Sequence, residues 1–191
     1  MAIEVPARRF TVDEYHRMGD AGILGCEERL ELIAGQIVVC EPIGFRHASV
    51  VDRLAQLWFG YLGRRANVRV QNPVTFPEAD SELQPDILLL RARDDFYATG
   101  HPRVADVLLL IEVADTTVRL DRRVKIPLYA AVGVGEVWLC DLVTERVEVY
   151  REPAGETYRD VETMDRGQTV SPLALPDVTV AIDDLLGPTA R

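Results

Sequence analysis

The chain is short of most features that place a protein at sight. It has no apolar run approaching the roughly 18 residues that a membrane-spanning helix needs. Its N-terminus, Met1-Ala2-Ile3-Glu4-Val5-Pro6-Ala7-Arg8-Arg9, has no basic segment followed by a long apolar one, so no secretory signal is expected. Cysteine is scarce. Cys26, Cys40 and Cys140 are widely spaced and make neither a CxxC pair nor a disulfide framework. They read as small apolar residues in a reducing cytoplasm. The scattered histidines and cysteines give no zinc-binding spacing. Gly133-Val134-Gly135 lacks the third glycine of a dinucleotide loop and precedes a strand, and there is no GxSxG elbow. Positive charge is in deficit too: 21 Lys and Arg stand against 31 Asp and Glu, a net charge of -10. That balance argues against a general electrostatic grip on nucleic acid, although a hydrolytic nuclease can be acidic if a metal offsets charge at its site. There are no repeats, low-complexity segments or linkers.

What is present suits one globular domain over residues 1–191, with 48% hydrophobic and 27% charged residues. Thr11 with Glu14 three residues on predicts a capping box and a short helix to Met18. Arg29–Ile33 and Gln36–Cys40 read as a hairpin turned at Ala34-Gly35. From Phe45 to Arg65, Val50, Leu54, Leu57, Trp58, Tyr61 and Leu62 recur at helical steps. A short strand at Val68–Val70, an extended piece at Pro73–Pro77 and a polar loop at Glu78–Glu82 follow. Two apolar strands then stand out, Asp86–Arg91 and Val107–Val113, separated by a long loop. Beyond them Leu120, Val124, Leu128 and Val132 mark an apolar helix face, with Asp121, Lys125 and Tyr129 on another. Pro127 makes this helix start or kink near Lys125. Glu136–Asp141 and Glu145–Tyr150 form a second hairpin, with shorter strands near Thr157–Val161 and Val178–Ala181 and a last helical turn at Ile182–Leu186. The fold class is α/β: a mixed central sheet flanked by helices, with added hairpins.

Charge at the ends of apolar strands singles out one stretch. Asp86 opens the first apolar strand, Glu112 closes the second, and Lys125 follows on the helix. Phosphodiester hydrolysis needs an activated water and neutralisation of charge on the phosphate and the leaving oxygen. A hard divalent ion supplies both and prefers carboxylate oxygens. A nearby lysine steadies developing negative charge. The ordinary alternatives are strand-end acids that cap loops and a surface Lys125–Asp121 pair one helical turn apart. Tyr129 and Trp138 read as core.

The ordered pieces Glu31-Leu32-Ile33-Ala34-Gly35-Gln36-Ile37, His47, Pro85-Asp86-Ile87, Ile111-Glu112-Val113, Asp121 to Tyr129 and Gly133 to Leu139 resemble the Uma-type putative restriction endonuclease family. This is a branch of the PD-(D/E)XK nuclease superfamily, and the resemblance spans about residues 10–185. It implies a restriction-endonuclease-like α/β core and metal-dependent DNA cleavage, with Mg2+ or Mn2+ as cofactor. Carried over, Asp86 and Glu112 match the metal-binding carboxylates and Glu31 a further acidic position. The superfamily's lysine would fall at position 114, which is Ala114, and Lys125 matches a position to which that lysine has moved. His47, Arg122 and Arg123, with Arg119 beside them, are candidates to contact substrate, a solvated helix entry being the ordinary reading of the arginines. Double-stranded DNA is the implied partner. Cutting a duplex implies a homodimer, for which the strand Glu145–Tyr150 offers an edge. The alternatives are a nuclease-fold binding or regulatory module without turnover, and a structural protein.

Overall fold

The protein's structure, a computed structural model, describes residues 7–25 and 27–188. Cys26 and the first six residues, which carry part of the expectations above, lie outside the described residues. The chain begins with α1 (Val12–Asp20), capped as its sequence predicts: Glu14 N–H donates to Thr11 Oγ1, and the Glu14 carboxylate accepts from Thr11 N–H. β1 (Leu30–Ile33) and β2 (Gln36–Val39) form the expected hairpin, turned by Ala34 and Gly35, both at positive φ. Two left-handed residues match the twist of a tight hairpin. Gly35 is needed there, because an added Cβ would lie 2.7 Å from Arg9 Cβ and 3.1 Å from Phe10 O.

α2 (Phe45–Leu62) buries Val50, Val51, Leu54, Trp58 and Leu62 along one face. β3 (Ala66–Val70), β4 (Val74–Phe76), β5 (Ser81–Leu83), β6 (Ile87–Arg91) and β7 (Val107–Ala114) follow. The chain then runs through α3 (Val118–Leu120), a π-helical turn (Asp121–Lys125) and α4 (Ile126–Ala131). It ends with β8 (Glu136–Asp141), β9 (Arg146–Ala154), β10 (Thr157–Met164), β11 (Thr169–Val170), β12 (Val180–Ala181) and α5 (Ile182–Leu186). Among the described residues no helix is long and apolar enough to cross a membrane.

The central sheet has the order β10-β9-β8-β7-β6-β3; β7 and β8 are parallel and the other pairs antiparallel. A smaller sheet, β2-β1-β5-β4, lies apart from it in the hydrogen-bond pattern. Side chains of a strand alternate between faces. Ile87 and Leu89 of β6, with Leu109, Ile111 and Val113 of β7, therefore join the core under α2 and α5. Leu88, Leu90 and Leu110 join the opposite core with Ile126 and Tyr129 of α4 and Phe76 and Leu83 of the small sheet. Asp86 and Glu112 share the parity of this second set. Since Ile87 pairs with Ile111 in antiparallel register, the next pair outward is Asp86 with Glu112.

Three expectations change. Glu78–Glu82 is not a loop throughout: a 3-10 turn at Pro77–Ala79 leads into β5, an inner strand of the small sheet with Ser81 and Glu82 buried. The strand around Glu145–Tyr150 is not an edge. β9 lies between β8 and β10, so its backbone groups are already paired and cannot join a second copy. On the third helix the burial falls on Asp121, Lys125 and Tyr129, while Leu120 and Val124 are exposed. The polar face turns inward because its partners are the carboxylates of β1 and β7. The turn also widens: Ile126 N–H bonds to Asp121 O, five residues back. Pro127 has no N–H to continue an α-helical ladder, and the wider turn precedes it.

Candidate active site

Asp86 is buried, and its carboxylate is held from three sides. His47 Nε2 lies 2.9 Å from Oδ1, Gln71 Nε2 donates to the same oxygen at 3.0 Å, and Val113 N–H donates to Oδ2 at 2.8 Å. Each partner comes from a different place: α2, the turn after β3, and β7. Gln71 also sits at φ 50, a left-handed conformation unusual for its residue type. Its backbone N–H bonds to Asp86 O at 3.1 Å, so both its ends are tied to this one residue. For the His47 imidazole, burial works against protonation, but the hydrogen bond and charge of Asp86 outweigh it and raise its pKa above the ordinary histidine value.

Glu112 is 3% exposed. Its Oε1 accepts from Tyr129 OH at 2.6 Å and from Lys125 Nζ at 3.4 Å. Its Oε2 accepts nothing from the described residues. Burial, opposed by Lys125 and reinforced by Asp121, Asp86 and Glu31, pushes its pKa up to about 8. Lys125 Nζ also reaches Glu31 Oε1 at 3.2 Å, and that oxygen takes the Gln84 N–H at 2.8 Å. Burial works against the Lys125 charge, but Glu112, Glu31 and Asp121 prevail and raise its pKa. Asp121, buried one turn before Lys125, accepts from Thr117 Oγ1 at 2.7 Å. Burial raises its pKa against the pull of Lys125.

Asp86, Glu112, Lys125, Glu31 and His47 thus converge on one cavity of about 760 Å³. Among the buried groups of the cavity, four carboxylates, those of Asp86, Glu112, Glu31 and Asp121, face the one ammonium of Lys125, a surplus of buried negative charge that the half-buried His47 and Arg29 offset only in part. Such a surplus is relieved by protons or by a cation. In chemistry the donor set suits a hard divalent ion, since it offers carboxylate oxygens with an unengaged Glu112 Oε2.

The substrate-contact candidates separate. His47 lines the cavity. Arg122 does not line it; its guanidinium is paired with Asp141 at 2.7 Å and with Glu148. Arg123 is exposed on the same turn. The arginines that do line the cavity are Arg29 and Arg119. The Lys125–Asp121 surface pair does not form, and Lys125 turns to Glu31 and Glu112 instead. Tyr129 is core as expected, at 0% exposure, yet its hydroxyl is the shortest donor to Glu112. Sequence reading missed Gln71, Gln84 and Thr117. Their only local signal is a polar side chain beside a strand end or helix start, which is too common to choose by.

A mixed sheet flanked by helices, with two acids on neighbouring strand ends and a buried lysine behind them, defines a restriction-endonuclease-like α/β protein. The chain belongs to the Uma2 family, described as "Putative restriction endonuclease", which it matches over residues 12–183. Its fold is similar to that of a putative nuclease of the DUF820 group from Anabaena variabilis ATCC 29413. The two are 20% identical with a TM-score of 0.71, over 93% of this chain and 97% of the other. No curated protein matches the chain.

Proposed function

We propose that the protein, as one domain over residues 1–191, is a divalent-metal-dependent endonuclease that hydrolyses phosphodiester bonds of DNA. The observation that carries this reading is the convergence of Asp86 and Glu112 on adjacent strand ends with Lys125 Nζ 3.4 Å from Glu112 Oε1. Ala114 leaves the usual lysine position without an amine, and the π-helical turn brings Lys125 to the strand end instead.

Asp86 and the free Oε2 of Glu112 would hold Mg2+ or Mn2+, which when bound lowers the pKa of water and neutralises phosphate charge. His47 and Gln71 hold the Asp86 carboxylate in one orientation. Tyr129 and Lys125 fix Glu112 by its other oxygen. Lys125 carries the charge that offsets negative charge developing on the phosphate, and Glu31 keeps it in reach. Arg29 and Arg119 at the cavity wall meet backbone phosphates. Because the chain is acidic overall, binding depends on these few groups and on the metal, and with so few phosphate contacts its salt dependence is shallow. Cutting both strands of a duplex takes two sites, which a homodimer supplies.

The test is cleavage of plasmid and of defined DNA and RNA oligonucleotides by purified protein with Mg2+ or Mn2+, beside Asp86→Asn and Glu112→Gln. Metal-dependent DNA cleavage lost in both variants is the expected result. No cleavage by wild type, together with unchanged metal binding in Asp86→Asn, overturns the reading.

A further inference from the structure

Far from one another in sequence, His16 of α1, Glu82 of β5 and His101 of the loop before β7 meet in space. One ligand atom from each lies within 4.8 Å of the others. His16 Nε2 is 2.7 Å from Glu82 Oε2, and the two imidazole rings are 5.9 Å apart. The histidines line an open cavity of about 550 Å³, distinct from the one that holds Asp86 and Glu112.

Glu82 is the telling member. It is 7% exposed, and a buried carboxylate is expensive unless well compensated. Two of the protein's other buried acids show what full compensation looks like. Glu136 takes Trp138 Nε1, Arg151 Nε and Leu173 N–H. Asp141 takes Arg122 and two backbone N–H groups. Glu82 has one imidazole among the described residues. A second imidazole stands beside the pair, and the chain has only three histidines in all.

We infer that His16, Glu82 and His101 form a second metal site, selective for Zn2+ and related borderline ions. Two imidazole nitrogens and one carboxylate oxygen are a set that zinc accepts, with the fourth position open to water from the cavity. This is different chemistry from the all-oxygen set at Asp86 and Glu112, which favours Mg2+ or Mn2+. Tetrahedral zinc at ordinary bond lengths holds its ligand atoms about 3.4 Å apart. His16 and Glu82, 2.7 Å apart, need to open slightly to reach that spacing, and His101 sits on an exposed loop that can adjust to it. The bound ion would staple α1 and that loop to the small sheet, next to Gln84, whose N–H holds Glu31. The site stands whether or not the chain cleaves DNA.

The experiment is Zn2+ binding to tag-free, chelator-treated protein by calorimetry and by metal analysis after dialysis, with Co2+ absorption reporting the geometry. Thermal melts follow the same samples. We expect one Zn2+ per chain, a rise in melting temperature with Zn2+ that persists in excess Mg2+ and in Asp86→Asn, and a four-coordinate Co2+ spectrum. His101→Ala and His16→Ala should each lower affinity about 100-fold or more, beyond what loss of a supporting residue causes. Asp86→Asn should leave it unchanged. His101 is exposed, so its variant keeps the fold and decides the matter even if His16→Ala does not fold. Failure of wild type to bind micromolar Zn2+, wild-type affinity in His101→Ala, or loss of zinc in Asp86→Asn would each overturn the assignment.

Discussion

Replacing Glu112 by glutamine tests the electrostatics of the site directly. Burial holds the Glu112 pKa at about 8, against 4.5 for an ordinary glutamate. The folded chain therefore keeps a proton on Glu112 that the unfolded chain releases as pH rises between those two values. Stability falls with pH across that window and levels off above it. One proton gives a slope of about 1.4 kcal/mol per pH unit. Between pH 5 and pH 8 this single group removes on the order of 4 kcal/mol, a large share of a typical domain's stability. Lys125 adds no slope there: although burial opposes its charge, its carboxylate neighbours keep it protonated throughout. Glutamine has the shape of the protonated acid but does not ionise. Glu112→Gln should match wild type near pH 5 and become progressively more stable than it up to pH 8. Urea denaturation in the presence of a chelator, at several pH values, measures the difference. Parallel stability curves for the two proteins would mean that Glu112 is already ionised at pH 5 and would refute the reasoning. The same proton must leave when a cation binds, so wild-type metal affinity should rise up to about tenfold per pH unit below pH 8.

Other perturbations follow from the same geometry. Asp86→Asn keeps the shape of the side chain but removes its charge, so the rise in melting temperature caused by Mn2+ should vanish, as read by differential scanning fluorimetry. Tyr129→Phe deletes the shortest donor to a buried carboxyl and should lower stability by about 1–2 kcal/mol, measured by denaturant titration. Gly35→Ala forces a side chain into a left-handed turn and against Arg9 and Phe10. It should lower stability by about 1–3 kcal/mol, read from the urea midpoint.

Much of the frame is legible along the chain because it is set by neighbours in sequence. The Thr11–Glu14 cap, the Ala34-Gly35 hairpin, the long helix from Phe45 and the two apolar strands all appear where local pattern puts them. The helix after Glu112 shows where local pattern fails. Its apolar residues Leu120 and Val124 are exposed and its polar residues Asp121 and Lys125 are buried, because the ligands of Lys125 lie on strands far away in the chain. The free-edge expectation for Glu145–Tyr150 failed for a similar reason: β10, a later segment, occupies the edge.

By itself the sequence determined most of the strands, their alternation, and the placing of Asp86 and Glu112 toward the ends of the two apolar strands. A period of two residues and a change from apolar to charged are local properties. Only the tertiary structure decided that Lys125 reaches Glu31 and Glu112, that His47 and Gln71 hold Asp86, and that His16 and His101 meet at Glu82. Those contacts join residues 13 to 94 positions apart in the chain. They exist because two sheets and a widened helical turn pack together, and no local periodicity encodes that packing.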